Sequence, residues 1–147
     1  MSKILVDSNV FINAFKADSE FRDDSLRFLN YLRNHNLGIT MPAHGWFEIL
    51  CSLRRIERKE KVFDGPLIAG VRDYPIELIH IDNHFISKYG NVDIPYVKAG
   101  DHIFVVVAHA NGYKLVTWDK GMTKVAQQLS VNVCNPLEFL NESNPSS

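Results

Sequence analysis

The sequence predicts an α/β fold, a single-domain three-layer α/β/α sandwich with a mostly parallel sheet of about five strands. Short apolar runs alternate with segments of helical periodicity along the whole chain, as strands joined by helical crossovers do. The length of 147 residues suits one domain, and neither an internal repeat nor a linker divides it. Apolar residues make up 46% of the composition, which excludes wholesale disorder.

The first two predicted strands each lead into a helix. Residues 4–6 form a short apolar run that predicts a buried strand, and the polar residues 7–9 provide helix-cap chemistry after it. Leucines at helical spacing predict a helix that includes residues 26–34. A second strand over 37–41 is closed by Pro42, which suits the start of a helix because its missing N–H has no partner there.

A long helix, a third strand and a short helix follow. Residues 43–61 carry one apolar stripe, which is typical of a helix packed against a sheet. The apolar run 76–81 predicts a strand, and residues 82–89 predict a short helix. No role is predicted for residues 64–73.

The segment 101–112 is compatible with two kinds of structure. Residues 103–107 are rich in β-branched side chains, which favour a strand. The length of the segment, Asp101 as an N-cap and Gly112 as a C-terminal stop favour a helix. We expect a buried helix.

The last part of the chain completes the alternation. Residues 115–117 predict a fourth strand, residues 121–129 a helix and residues 131–133 a fifth strand. A last helical turn opens at residues 135–136. We expect the domain to span residues 1–140 and the polar residues 141–147 to form a disordered tail.

Charge and cysteine content exclude several classes of protein. The net charge of -1 excludes a broadly basic nucleic-acid coat protein but leaves a local basic patch possible in principle. Two cysteines are too few for a disulfide scaffold, and no Cys and His spacing is typical of structural zinc. No apolar run has the roughly 18 residues of a membrane helix, and the first apolar run is too short for a signal peptide. We therefore expect a cytoplasmic protein with no membrane contact.

Four carboxylates follow strands or lie near the starts of helices, namely Asp7, Glu48, Asp101 and Asp119. Each Asp alone is more often a helix cap, and Glu48 alone is more often a solvated helix residue. Sites in open α/β sheets form beyond the carboxyl ends of the strands, so the four side chains can converge there. Together they repel one another unless a cation is present, and Mg²⁺ and Mn²⁺ prefer oxygen ligands. Such a site suits phosphodiester hydrolysis.

One face of the long predicted helix is charged. Glu48, Ser52, Arg55 and Lys59 share this face, opposite the apolar stripe. A carboxylate with basic neighbours suits a metal beside a phosphate backbone. A solvated charged face explains the same pattern, and both interpretations stay open.

Four local patterns, each with one of these carboxylates, occur in order along the chain. They are ILVDSNVFI at 4–12, WFEI at 46–49, GDHI at 100–103 followed by Ala108 and Asn111-Gly112, and LVTWD at 115–119. In these patterns the chain resembles the PIN-domain family of metal-dependent nucleases, especially the VapC-type toxin ribonucleases. The resemblance extends from residue 4 to about residue 140.

Four positions depart from the family pattern. Trp118 stands where a small residue or Asn is usual, and His102 stands where Ala is common. Gly121 and Met122 replace the usual acidic residue and Phe. Trp118 suits base stacking at the mouth of the site or packing within the fold, and we favour packing. No departure removes a carboxylate.

The resemblance implies a metal-dependent endoribonuclease that is the toxin component of a type II toxin–antitoxin system. The implied catalytic residues and ligands of Mg²⁺ or Mn²⁺ are Asp7, Glu48, Asp101 and Asp119. Ser8 and Thr117 match positions that support the carboxylates, and Arg55 and Lys59 would bind RNA. The implied partners are an RNA substrate, a cognate antitoxin and a second copy of the chain.

Two alternatives remain open. A catalytically inactive PIN-like interaction module would keep the fold and use the four acids as caps and partner contacts. A phosphate-accepting α/β domain also places an Asp after a strand. The phosphatase form of that domain needs a second Asp two residues after Asp7, where this chain has Asn9, and the receiver form needs an acidic pair that residues 4–6 lack.

Overall fold

The computed structural model describes residues 3–61 and 65–143 and contains a five-stranded sheet. The strands are β1 (Ile4–Val6), β2 (Ile39–Pro42), β3 (Ile76–Ile79), β4 (Lys114–Val116) and β5 (Val133–Cys134). They lie in the order β3-β2-β1-β4-β5, and every neighbouring pair is parallel. The fold class predicted from the sequence is therefore confirmed.

The helices of the described residues connect these strands. They are α1 (Ser8–Ala14), α2 (Arg22–Asn34), α3 (Ala43–Lys59), α4 (Pro66–Arg72), α5 (Asn83–Tyr89), α6 (Ala99–Asn111), α7 (Lys120–Gln128) and α8 (Pro136–Ser143). α1 contacts α2 and α3, whereas α6 contacts α7. In the described part of the chain, no helix combines the length and the apolar character needed to cross a membrane.

The chain changes direction across the sheet after β3, because β4 lies on the far side of β1. Since parallel crossovers are right-handed, this change puts α6 and α7 on the opposite face from α1 and α3. Leu5 and Val6 of β1, together with Leu115 and Val116 of β4, are fully buried between the layers. The switch point leaves a crevice at the carboxyl ends of β1 and β4, the usual place for a ligand in such sheets.

The segment 101–112 is helical, as expected, and belongs to α6. Residues 104–108 are buried without interruption, and a helix that is apolar on all sides suits the interior despite the strand preference of its valines. The expected N-cap was wrong: Lys98 holds that position because the chain enters the helix three residues before Asp101. Gly112 ends the helix with a φ of 67°, which favours glycine.

Two segments differ from the sequence-based expectation. α4 occupies the stretch for which no role was predicted, and it begins after Gly65, whose φ is 62°, with Pro66 at the first helical position. Asp64 lies outside the described residues. The expected tail 141–147 is helical as far as Ser143, and its last four residues also lie outside the described part of the chain.

Candidate active site

Asp7 lies at the switch point of the sheet, directly after β1. Its backbone N–H donates to the carbonyl oxygen of Val116 at 2.9 Å, which fixes it beside β4. Asp7 is the N-cap residue of α1, but its carboxylate forms no capping hydrogen bond. Instead Oδ2 accepts a hydrogen bond from Oγ1 of Thr117 at 2.7 Å, and Oδ1 accepts a longer one from Oγ of Ser8 at 3.3 Å. Two hydroxyl groups therefore orient a carboxylate that is only 4% exposed.

The surroundings of Asp7 disfavour its ionised form. Burial, and to a smaller extent the carboxylates of Asp101 and Glu48, raise the pKa of Asp7 to about 7, against the opposing effect of the Thr117 hydroxyl and a weaker one from the Asn9 backbone. A nearby cation would therefore stabilise the ionised form of Asp7, and without a cation the carboxyl group keeps its proton up to a higher pH than a solvated Asp does.

Asp101 and Asp119 are two further acids of the site; together with Asp7 and Glu48 they are named the acidic group here. Asp101 lies half-buried in the first turn of α6, where burial and then the charge of Asp119 raise its pKa. Asp119 is the N-cap of α7, and its Oδ1 accepts a hydrogen bond from the N–H of Met122 at 2.8 Å. The capping interpretation thus holds for one oxygen of Asp119, while its charge still acts on Asp101.

Glu48 faces the group from α3, and its side chain is 51% exposed. Burial raises the pKa of Glu48, His44 lowers it, and Asp101 raises it. Nε2 of His44 lies 3.6 Å from Oε1 of Glu48 and 2.9 Å from the carbonyl oxygen of Gly100. His44 therefore connects α3 to the start of α6, beside two of the four acids.

No role was predicted for His44 from the sequence, and none in the site was predicted for Asn9 beyond helix-cap chemistry. His44 precedes Glu48 by one helical turn, and this spacing was the available signal. Oδ1 of Asn9 accepts a hydrogen bond from the N–H of Trp118 at 3.3 Å, which ties α1 to the loop after β4. Its position two residues after Asp7 gave no indication of this distant partner.

The structure also locates the other residues singled out in the sequence. Trp118 is packed, as favoured: its ring stacks on Phe21 with centroids 4.3 Å apart, and its Nε1–H donates to Oγ of Ser25 at 2.8 Å. Arg55 and Lys59 are exposed on α3, beyond Glu48. Within the described ranges neither of these two cations forms an ion pair.

The acidic group has the chemistry of a cation site without closed coordination. Among residues 3–61 and 65–143, no three Asp, Glu, His or Cys side chains are close enough to hold a metal ion. The donors are carboxylate oxygens, and neighbouring carboxylates raise the pKa of Asp7, Glu48 and Asp101. A hard cation relieves this repulsion. The donor set therefore fits a divalent ion that keeps part of its water shell, as Mg²⁺ usually does.

A cavity of about 810 Å³ lies at the other edge of the sheet. It is bordered by the amino ends of four strands, at Ile4, Ile39, Ile76 and Lys114. The four carboxylates all lie at the opposite edge, so electrostatics rather than cavity volume identifies the candidate active site.

Comparisons with known proteins agree with this architecture. FitAcB from Neisseria gonorrhoeae is 19% identical, with a TM-score of 0.54 over 90% of this chain and 97% of that one. VapBC2 from Rickettsia felis, bound to a promoter DNA fragment, is 14% identical, with a TM-score of 0.58 over 90% and 97%. VapC20 from Mycobacterium tuberculosis, a sarcin–ricin loop cleaving toxin, is 13% identical, with a TM-score of 0.58 over 83% and 94%. At these identities the likeness shows the fold.

No curated protein sequence matches the chain significantly. The family model of the PIN domain matches residues 4–128, which include all four carboxylates and every strand except β5. The chain therefore belongs to the PIN-domain family.

Proposed function

We propose that this protein is a Mg²⁺- or Mn²⁺-dependent endoribonuclease and the toxin component of a type II toxin–antitoxin system. PIN domains are typically nucleases, which are hydrolases. The observation that carries the proposal is the buried carboxylate of Asp7, oriented by Thr117 and surrounded by further acids at the switch point of the sheet. The cytoplasm is the proposed place of action.

Each residue of the site has a proposed role. Asp7, Glu48, Asp101 and Asp119 would hold the metal, directly or through water. A bound divalent ion lowers the pKa of the attacking water and stabilises the leaving oxygen of the phosphodiester. Thr117 and Ser8 hold the Asp7 carboxylate in one orientation through their hydroxyl groups.

The basic side of α3 has a proposed role in RNA binding. Arg55 and Lys59 are exposed and lie on the same helix as Glu48, so they would attract the phosphate backbone toward the acids. This contact would raise the local concentration of RNA without selecting a sequence.

The proposed partners are an antitoxin and a second copy of this chain. VapBC2 was solved bound to a DNA fragment from its promoter, and FitAB was solved bound to a DNA fragment named IR36. VapC20 is described as a toxin that cleaves the sarcin–ricin loop. These descriptions support an RNA substrate and a protein partner here as proposals.

The test is cleavage of a mixed structured RNA with Mn²⁺ and with EDTA. We expect the parent protein to cut only with metal and the double variant Asp7→Asn, Asp101→Asn not to cut. The variant Asp18→Asn, Asp23→Asn is the matched control, because it changes two exposed acids outside the site. Cutting by the site variant at the parent rate would refute the site assignment.

A narrow target absent from the RNA mixture would hide a real activity, so metal binding is measured in parallel. We expect Mn²⁺ to raise the melting temperature of the parent and the control but not of the site variant, since an ion that binds only the folded state stabilises it. Absence of both cutting and metal-dependent stabilisation would favour the inactive interaction module instead.

A further inference from the structure

A second concave surface lies next to the acidic group. A cavity of about 270 Å³, here named the α7 cavity, lies between the loop after β4 and the exposed side of α7. Its lining includes Phe21, Thr117, Trp118, Lys120, Lys124 and Gln127. Thr117 is shared with the active site, because its hydroxyl also donates to the Asp7 carboxylate at 2.7 Å. A ligand in the α7 cavity therefore lies beside the central acid.

The charged groups of the α7 cavity favour an anion. Lys120 and Lys124 lie one turn apart on α7, both are exposed, and neither forms an ion pair with any residue that the structure describes. The acid in the lining, Glu138, accepts a hydrogen bond from the N–H of Asn135 at 3.0 Å. Two cations thus face the cavity against one carboxylate that already has a partner.

One wall of the α7 cavity is aromatic and held in place. The rings of Phe21 and Trp118 stack at a centroid distance of 4.3 Å with an interplanar angle of 19°. The indole N–H donates to Ser25, a fully buried residue, at 2.8 Å. Both aromatic residues line the cavity, and such a fixed apolar surface suits contact with a nucleobase.

The α7 cavity is small. Its volume of about 270 Å³ is below the usual range for drug-sized ligands, roughly 300–1,000 Å³. A single base with its sugar is of this order. The combination of two cations, an aromatic wall and a small volume matches one unpaired nucleotide.

We propose that the α7 cavity binds one unpaired nucleotide of the RNA substrate, next to the phosphodiester that is cut at Asp7. Phe21 and Trp118 contact the base, and Lys120 and Lys124 contact adjacent phosphates. This assignment rests on the proposed function, and it selects single-stranded or extruded RNA over intact duplex.

The experiment uses Trp118 as the reporter. In the Trp46→Phe variant of the full chain, Trp118 is the remaining tryptophan. A pool of RNA hexamers is titrated in EDTA, so that binding is measured without cleavage. We expect a saturable change in tryptophan fluorescence with the hexamers and a much weaker response to an RNA duplex.

Lysine variants test the cations of the cavity. Adding Lys120→Gln and Lys124→Gln is expected to weaken hexamer binding roughly tenfold and to reduce the slope of log K against log salt by about 0.7 for each lost phosphate contact. Lys16→Gln with Lys88→Gln is the matched control, since these exposed lysines lie outside the cavity lining. Its affinity and salt slope are expected to equal those of the parent.

Three results would overturn the assignment: no fluorescence change with the hexamers, equal affinity for the duplex, or unchanged binding by the cavity variant. The cleavage assay reports separately on the proposed function. A protein that binds hexamers through the lysines but never cuts RNA keeps the nucleotide site and loses the nuclease activity. A protein that cuts RNA equally well after both lysine substitutions keeps the activity and loses the site.

Discussion

Asp7 combines two demands that oppose each other in a single residue. Its burial orients the carboxylate, but the same burial raises its pKa from 3.8 to about 7. Because the pKa of Asp7 is higher in the folded state than in the unfolded state, the protonated carboxyl group favours folding. Its contribution to the free energy of unfolding is complete below the unfolded pKa of 3.8 and is lost as the pH rises through about 7. In the absence of metal, Asp7 therefore lowers the free energy of unfolding most above about pH 7, where its carboxylate is ionised.

Replacing Asp7 by Asn is therefore expected to stabilise the metal-free protein. Three pKa units correspond to about 4 kcal/mol, an upper limit for the gain in the free energy of unfolding above pH 7. Denaturant unfolding in EDTA measures it, and the difference from the parent should shrink as the pH falls toward 3.8. A lower stability of the variant above pH 7 would mean that the Thr117 hydrogen bond outweighs the burial of charge.

Between elements, the contact of α3 with α6 sets the separation of Glu48 from Asp101. His44 supplies the polar part of this contact through the carbonyl of Gly100, and the apolar part comes from the close approach of Gly45 to Phe104. His44 and Gly45 both lie in the first turn of α3.

His44 is expected to act as a positioning residue. His44→Leu removes the bond to Gly100, and loss of such a support typically weakens metal binding by about tenfold or more. His44→Gln keeps an N–H donor and is expected to retain most of the affinity. The Mn²⁺ concentration that gives half of the melting-temperature shift measures the effect, and equal values for Leu and Gln would argue against positioning.

Gly45 is expected to tolerate no side chain. A Cβ at this position would meet Cζ of Phe104 at 2.8 Å, and Phe104 is only 1% exposed and has little room to move. The overpacking penalty of about 1–3 kcal/mol exceeds the gain of up to about 1 kcal/mol from alanine in a helix. Gly45→Ala should therefore lower the free energy of unfolding in urea.

The matched control for this change is Gly38→Ala, because nothing lies within 4 Å of a Cβ there. We expect its stability to stay within a few tenths of a kcal/mol of the parent. A stable Gly45→Ala protein would mean that α3 shifts away from α6 without penalty, and Mn²⁺ binding would then show whether the acids still converge.

At the scale of the whole molecule, local sequence patterns were sufficient to predict the order of the strands and of most helices. The buried strands and the apolar stripe of α3 have periodicities that depend on neighbours within a few residues, and these predictions agree with the structure. α4 was missed because a short helix begun by Gly65 and Pro66 has too few turns to show a stripe. Asp101 was misplaced as a cap because helix boundaries depend on where the chain enters, here at Lys98.

Only the four acids of the candidate site could be predicted from the sequence. Their positions after strands or early in helices place them at one sheet edge in any doubly wound fold. The contacts that orient them join distant parts of the chain: His44 and Gly100 are 56 residues apart, and Asn9 and Trp118 are 109 apart. A single sequence carries no local signal for such pairs. The roles of the site residues remain predictions.

The central place of β1 has a consequence for the synthesis of the protein. Asp7 meets Thr117 across 110 residues, and β1 gains its second neighbour only when β4 has been made. A nascent chain emerging from the ribosome therefore carries Asp7 and Glu48 before Asp101 and Asp119 have been made. If the protein cuts RNA as proposed, a chain whose synthesis has not passed Asp119 lacks part of the active site, so the ribosome that makes it is exposed to no active enzyme before that point.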